Sequence, residues 1–240
     1  MRTSLAALTA ASAALAGCQL HAHGGGATVS RNYQVGNFQQ LEVAGPYDVE
    51  VRTGANLGVS AHGSEKLLER TVVEVQGDKL VIHPENSHSF FHFGWDNDGK
   101  ASFTVTVPQL TGATIAGSGD IRVNRVTGQS FEGTIAGSGG LNIAAMDVQS
   151  LKLAVAGSGD LKAGAGKAQS AEYEIVGSGD LDAGAVQTQQ LKVSIAGSGG
   201  VKANALATAD VDIMGSGDVS VTGGAKCTVN KAGSGSARCS

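Results

Sequence analysis

The sequence predicts an all-β protein: a parallel β-helix, or solenoid, of coils about 20 residues long with an N-terminal β cap region. Two observations carry that prediction. A Gly-Ser-Gly tripeptide recurs at near-constant spacing, and apolar residues alternate on either side of it.

The tripeptide stands at 117–119, 137–139, 157–159, 177–179, 197–199, 215–217 and 233–235, in steps of 20, 20, 20, 20, 18 and 18. A fixed period of this length is the signature of a stacked repeat. Glycine tolerates positive φ, which a tight corner demands at the same place in every coil. The serine hydroxyl is expected to bond to its neighbours in the stack or to the local backbone. An antiparallel sandwich is the competing architecture, but it does not require identical turns at fixed steps. Coils about 4.8 Å apart make seven of them span roughly 34 Å. A right-handed path is the expected default for parallel strands.

Alternation supplies the strands. Two residues before the corner stand Ile115, Ile135, Val155, Ile175, Ile195 and Ile213, and only the last copy breaks the column, with Lys231. Two residues earlier come Leu153, Tyr173, Val193, Val211 and Val229. Beyond the corner the column reads Ile121, Leu141, Leu161, Leu181, Val201 and Val219. Side chains two apart on a strand face the same way, so these columns are expected to stack inward. A degenerate copy, Val43-Ala44-Gly45-Pro46-Tyr47-Asp48-Val49, aligns with Ile115 to Ile121 and predicts that the solenoid begins near Leu41.

Outward positions follow the same period. Glu132, Lys152, Glu172, Lys192 and Asp210 alternate in sign, as do Lys162, Asp182 and Lys202. Unlike charges on neighbouring strands favour the register, which predicts structural ladders. After the corner come Asp120, Gly140, Asp160, Asp180, Gly200 and Asp218. A calcium column is one reading of these carboxylates. The 20-residue period and the interspersed glycines favour aspartates accepting backbone N–H bonds instead.

Residues 1–17 read as an export signal. Arg2 precedes the apolar run from Leu5 to Leu15, which is too short to span a bilayer. The run ends in Leu15-Ala16-Gly17-Cys18, similar to a bacterial lipobox, so Cys18 is the expected lipidation site and a membrane the expected partner through its acyl chains. Gln19 after that cysteine resembles the pattern of outer-membrane destination. Residues 18–30, with Gly24-Gly25-Gly26, read as a flexible tether. Residues 31–110 then form an N-terminal β region and residues 111–240 the Gly-Ser-Gly solenoid of the same domain.

Composition agrees. Glycine accounts for 36 residues and proline for 3, charged residues for 16% and aromatics for 4%. Small and β-branched residues in this proportion suit thin cores with close backbones. The net charge of −4 supplies no basic excess for nucleic acid. With Cys18 assigned to lipid, Cys227 and Cys239 remain, and in an exported chain a disulfide between them is expected.

The most irregular stretch is 83–100. It reads as a long hairpin loop between Lys79–Ile82 and Phe103–Val107, and it gathers Phe90, Phe91, Phe93 and Trp95. These aromatics are candidates for contact with a glycan or a surface protein. Folding back to cap the open N-terminal end of the core is the other role open to them. His88 and His92 are four apart, but the segment has no helical period, so no metal site is expected. Leu67-Leu68 predicts one short helical turn. No GxSxG, HExxH or P-loop stands in the chain, and no cofactor is expected.

Phe38, Leu41-Glu42-Val43, Asp48-Val49-Glu50-Val51, Leu80-Val81-Ile82 and Val105 to Leu110 lead into the first Ala-Gly-Ser-Gly-Asp. That series resembles the bacterial autotransporter-adhesin family carrying the head GIN domain, over about residues 31–225. The resemblance implies an extracytoplasmic β-helical domain, common on lipoproteins, with an adhesin-like role and no catalytic residues. No translocating barrel follows Ser240, so the chain is not expected to be an autotransporter itself. A non-catalytic envelope protein with a binding or structural role is therefore expected. The alternative is a polysaccharide-active β-helix enzyme, which would need carboxylates clustered on one lateral face.

Overall fold

The computed structural model describes residues 27–85 and 100–240. Its first half contains β1 (Thr28–Tyr33), β2 (Gln40–Ala44), β3 (Asp48–Thr53), β4 (Gly58–Ser64), α1 (Glu65–Glu69), β5 (Thr71–Gln76), β6 (Lys79–Pro84), β7 (Ala101–Val107), β8 (Gly112–Gly117) and β9 (Asp120–Val123). The second half contains β10 (Val126–Gly137), β11 (Gly140–Gly157), β12 (Asp160–Gly177), β13 (Leu181–Gly197), β14 (Gly200–Gly215), β15 (Asp218–Thr222), β16 (Lys226–Ala232) and β17 (Ser236–Cys239).

These strands wind into a β-solenoid of about six turns. Each coil lies parallel on the next with its repeat in register: Ile115 on Ile135, Ile135 on Val155, Val155 on Ile175, Ile175 on Ile195. The ladder between β11 and β12 is interrupted at Ala144 and Gln149, and together with the Gly-Ser-Gly turn these breaks mark three corners. The inward columns are buried as far as Ile213 and Val221 and form one continuous core.

Coil order in space departs from order in sequence. β2 lies between β6 and β8, and β3 between β7 and β9, all parallel. β6 and β7 therefore lie beneath β2 and β3, and the solenoid does not begin at Leu41 as its degenerate repeat suggested. Of the hairpin loop expected over residues 83–100, residues 86–99 lie outside the described residues. β6 is paired with β2 and β5, and β7 with β3 and β4, so the flanking strands are successive sides of one coil.

Antiparallel strands finish this end. β5 pairs with β6, β4 with β7, and β1 with β4. The helical turn α1 buries Leu67 and Leu68 against the core, in agreement with the sequence. Thr71 links it to the first coil: its hydroxyl donates to the Leu67 carbonyl at 2.7 Å and lies 3.0 Å from the Tyr47 hydroxyl. The single Thr71 proton goes to the carbonyl, so Tyr47 is the donor in the second bond.

The last coils are two residues shorter, and the deficit falls on one side. Between β13 and β14 the register shifts from Asp182 to Gln187 and again from Thr188 to Gln190, while the long side stays in step. Thr188, fully buried at this shift, donates its hydroxyl to the Asn204 carbonyl at 2.8 Å.

Candidate functional site

The corner and its two flanking columns make the most regular surface of the molecule. At each repeat the first glycine carries φ between +126° and +147°. Its carbonyl then accepts from the next coil: Ser138 and Gly139 donate to Gly117, and Ser158 and Gly159 donate to Gly137. The serine thus contributes its backbone N–H to the stack. The Ser158 side chain points to solvent, which replaces the expected hydroxyl bonding with a main-chain ladder.

The aspartates beside the corner clamp successive coils. Asp120 accepts from the Gly140 N–H at 2.9 Å and Asp180 from the Gly200 N–H at 2.8 Å, each through Oδ1. Asp160 reaches the Asp180 N–H at 3.3 Å. Asp218 accepts both the N–H and the hydroxyl of Ser236, and these bonds hold its carboxyl below the usual range. The interspersed glycines have a steric reason, since a Cβ on Gly140 or Gly200 would come within 2.9 Å of the preceding aspartate oxygen. This geometry is that of an N–H acceptor column. Among the described residues, no group of three His, Cys, Asp or Glu side chains is placed to hold a metal ion.

Next to this column runs a groove of about 480 Å³, reaching from Asp160 and Lys162 to Ser236 and Arg238. Asp160, Asp180 and Asp218, each with Oδ1 committed to the stack, line this groove together with Lys202. Such a surface offers acceptors and donors to a hydroxyl-rich ligand.

The predicted charge ladders are present as pairs. Lys152 lies 3.9 Å from Glu132, Lys192 3.3 Å from Glu172 and Lys202 3.9 Å from Asp182. A further pair, Lys167–Asp147 at 3.4 Å, escaped the sequence reading because it lies on the third side, where the repeat is weakest. All are solvent-exposed and contribute about 0–1 kcal/mol each. Their effect is to neutralise the lateral face rather than to concentrate charge.

Cys227 and Cys239 form the disulfide predicted for them, joining β16 to β17 across the last coil. Both occupy inward columns, Cys227 beneath Ala209 and Cys239 beneath Val221. Yet Cys227 is only half-buried and Cys239 is exposed, since among the described strands β16 and β17 are paired on one side only. Cys18, Phe90, Phe91, Phe93 and Trp95 lie outside the described residues. At the N-terminal end α1 buries Leu67 and Leu68, and Tyr47 packs edge-on against Phe103 at 5.6 Å.

Perturbed ionisation concentrates on structural groups. Burial raises Tyr173 and Tyr47, and side-chain hydrogen bonds from Gln76 and His83 lower Glu74.

The stacked corners, parallel register and lateral ladders define a non-globular class, the parallel β-solenoid with an antiparallel N-terminal cap. Within it the chain belongs to the family described as "putative auto-transporter adhesin, head GIN domain", which matches residues 37–225. A "putative adhesin" from Bacteroides fragilis shares the fold with a TM-score of 0.80 at 23% identity, over 89% of this chain and 97% of that one. A "putative lipid binding protein" from Parabacteroides distasonis gives 0.69 at 22%, over 90% and 98%. A "putative adhesin" from Parabacteroides merdae gives 0.69 at 16%, also over 90% and 98%. No curated protein matches the sequence.

Proposed function

We propose that this chain is an exported, lipid-anchored cell-envelope protein whose solenoid serves an adhesin-like binding role without catalysis. The observation that carries the reading is the family match across nearly all of the described fold, on a stack whose lateral faces carry charges of both signs, several of them paired. The anchor is Cys18, in the outer membrane by the pattern of Gln19. Only nine residues, 19–27, separate Cys18 from Thr28, the start of β1, so the ten Cα–Cα steps of the tether reach at most about 35 Å. The capped end of the stack then stays near the membrane and the far end points away.

Two surfaces support contact with a glycan or surface protein. One is the aromatic insertion between β6 and β7, carrying Phe90, Phe91, Phe93 and Trp95, since exposed aromatics supply stacking area for sugars and partners. The other is the polar groove from Asp160 to Arg238.

The test has two parts. Cells expressing the full chain are labelled with a fatty-acid analogue and fractionated, with Cys18→Ala as comparison. Label and membrane retention lost in the variant support the anchor; retention unchanged removes it. The protein is then incubated with arrayed polysaccharides and envelope glycans. Retention without cleavage, reduced at least tenfold by Phe91→Ala with Trp95→Ala, supports the aromatic insertion. Released fragments would overturn the non-catalytic reading.

A further inference from the structure

The column two residues before the corner is continuous through the molecule: Ile82, Val43, Ile115, Ile135, Val155, Ile175, Ile195, Ile213 and then Lys231. The eight apolar members are at most 3% exposed. The ninth is an inward-facing cation, and it stands in the last coil. Its Nζ donates to the Gly235 carbonyl at 3.3 Å, which draws the ammonium over the end of the stack.

The surroundings of Lys231 would otherwise invite association. β16 and β17 are paired on one side only among the described strands, to β14 and β15. Val229 continues the column of Tyr173, Val193 and Val211, but is 41% exposed. Unpaired edges beside apolar side chains are templates for a further strand. The other end of the stack is finished differently, by antiparallel strands and the buried leucines of α1. Residues 219–240 carry Lys226, Lys231 and Arg238 and no carboxylate side chain; Asp218 faces Arg238, which leaves Lys226 and Lys231 as like charges on two such ends.

We propose that Lys231 closes the C-terminal end of the stack against a second copy of this chain. The contact it prevents is tail to tail, with β16 of each copy antiparallel about a twofold axis and Val229 packed across it. That arrangement would trap the Lys231 ammonium between two apolar ends without a counter-charge, a costly burial. An inward-pointing charge on an edge strand is a known device against such pairing.

The test is Lys231→Ile, which restores the column, in the full chain purified in detergent. Light scattering combined with refractive index separates the protein mass from the micelle. The variant is expected to reach twice the wild-type protein mass at concentrations at least tenfold below any at which the wild type does. Lys231→Gln, which removes the charge without adding an apolar group, is expected to shift the same way by less, and covers a folding failure of the first variant. Val229→Lys added to Lys231→Ile should restore wild-type behaviour. Unchanged mass for both single variants overturns the proposal. Growth into long head-to-tail polymers overturns it as well, because that would place the contact between unlike ends.

Discussion

Gly159 is held in place from two directions without any demand on its φ. A Cβ there would collide with the Gly139 carbonyl and come within 2.8 Å of the Ile135 Cγ2. Gly157, two residues earlier, has φ +129° and faces the Gly137 carbonyl. Gly159→Ala is therefore expected to destabilise the fold by about 2–4 kcal/mol, while exposed Ser158→Ala stays within about 0.5 kcal/mol, read from thermal or denaturant unfolding. Tyr47 fills the equivalent place in its own coil, where it is fully buried with its ring edge-on to Phe103. Tyr173 poses the opposite case. Its hydroxyl is buried with no hydrogen-bond partner, and that burial raises its pKa. Tyr173→Phe removes an unsatisfied polar group while keeping the ring, so a gain of about 1 kcal/mol in unfolding free energy is expected.

Within an element, coils balance their own volume. Tyr173 is accommodated by Ala163, Gly166, Ala168 and Ala171 in the same turn, where the preceding turn has Ile143, Met146, Val148 and Leu151. Phe131 is likewise matched by Gly133, whose Cβ would meet Leu141 and Leu153 side chains at 2.9 and 3.0 Å. The final coil lacks such filling and depends on its clamps. Reducing the Cys227–Cys239 bond, which closes a loop with a sequence separation of 12, is expected to cost about 3 kcal/mol in that coil. Hydrogen exchange should accelerate in β16 and β17 before it does in β12. Asp218 clamps the same coil with a lowered pKa, so its contribution is present above the ordinary aspartate pKa of 3.8 and is lost as pH falls through the lower folded value. The Ser236 amide is expected to lose protection across that acid window, and Asp218→Asn to remove the pH dependence.

At the scale of the whole molecule, a solenoid is close to one-dimensional, and each coil answers only to its neighbours. Removing residues 140–179 takes out two coils and places Ile135 on Ile195, Gly137 on Gly197 and Glu132 beside Lys192. This shortened chain is expected to fold with a lower melting temperature and one cooperative transition. Removing residues 140–149 breaks the period and is expected to abolish folding. Circular dichroism melts of the two deletions decide the matter. Removing 140–159 alone would set Glu132 against Glu172, so the two-coil deletion is expected to lose less stability per coil removed.

The period, the inward columns, the corner glycines, the charge ladders and the Cys227–Cys239 pairing were legible in the amino-acid sequence. Each of them repeats or pairs at a fixed spacing, and a parallel stack converts equal spacing in sequence into contact in space. Tertiary structure alone decided what does not repeat. That β6 and β7 lie beneath β2 and β3 depends on which edge those strands join, and no local pattern encodes that choice. The same holds for the serine at the corner, whose N–H is used because the preceding glycine carbonyl reaches it first. It holds again for Lys231: its break in the column is visible as a residue, but its place at the open end of the stack is a property of the assembled coil.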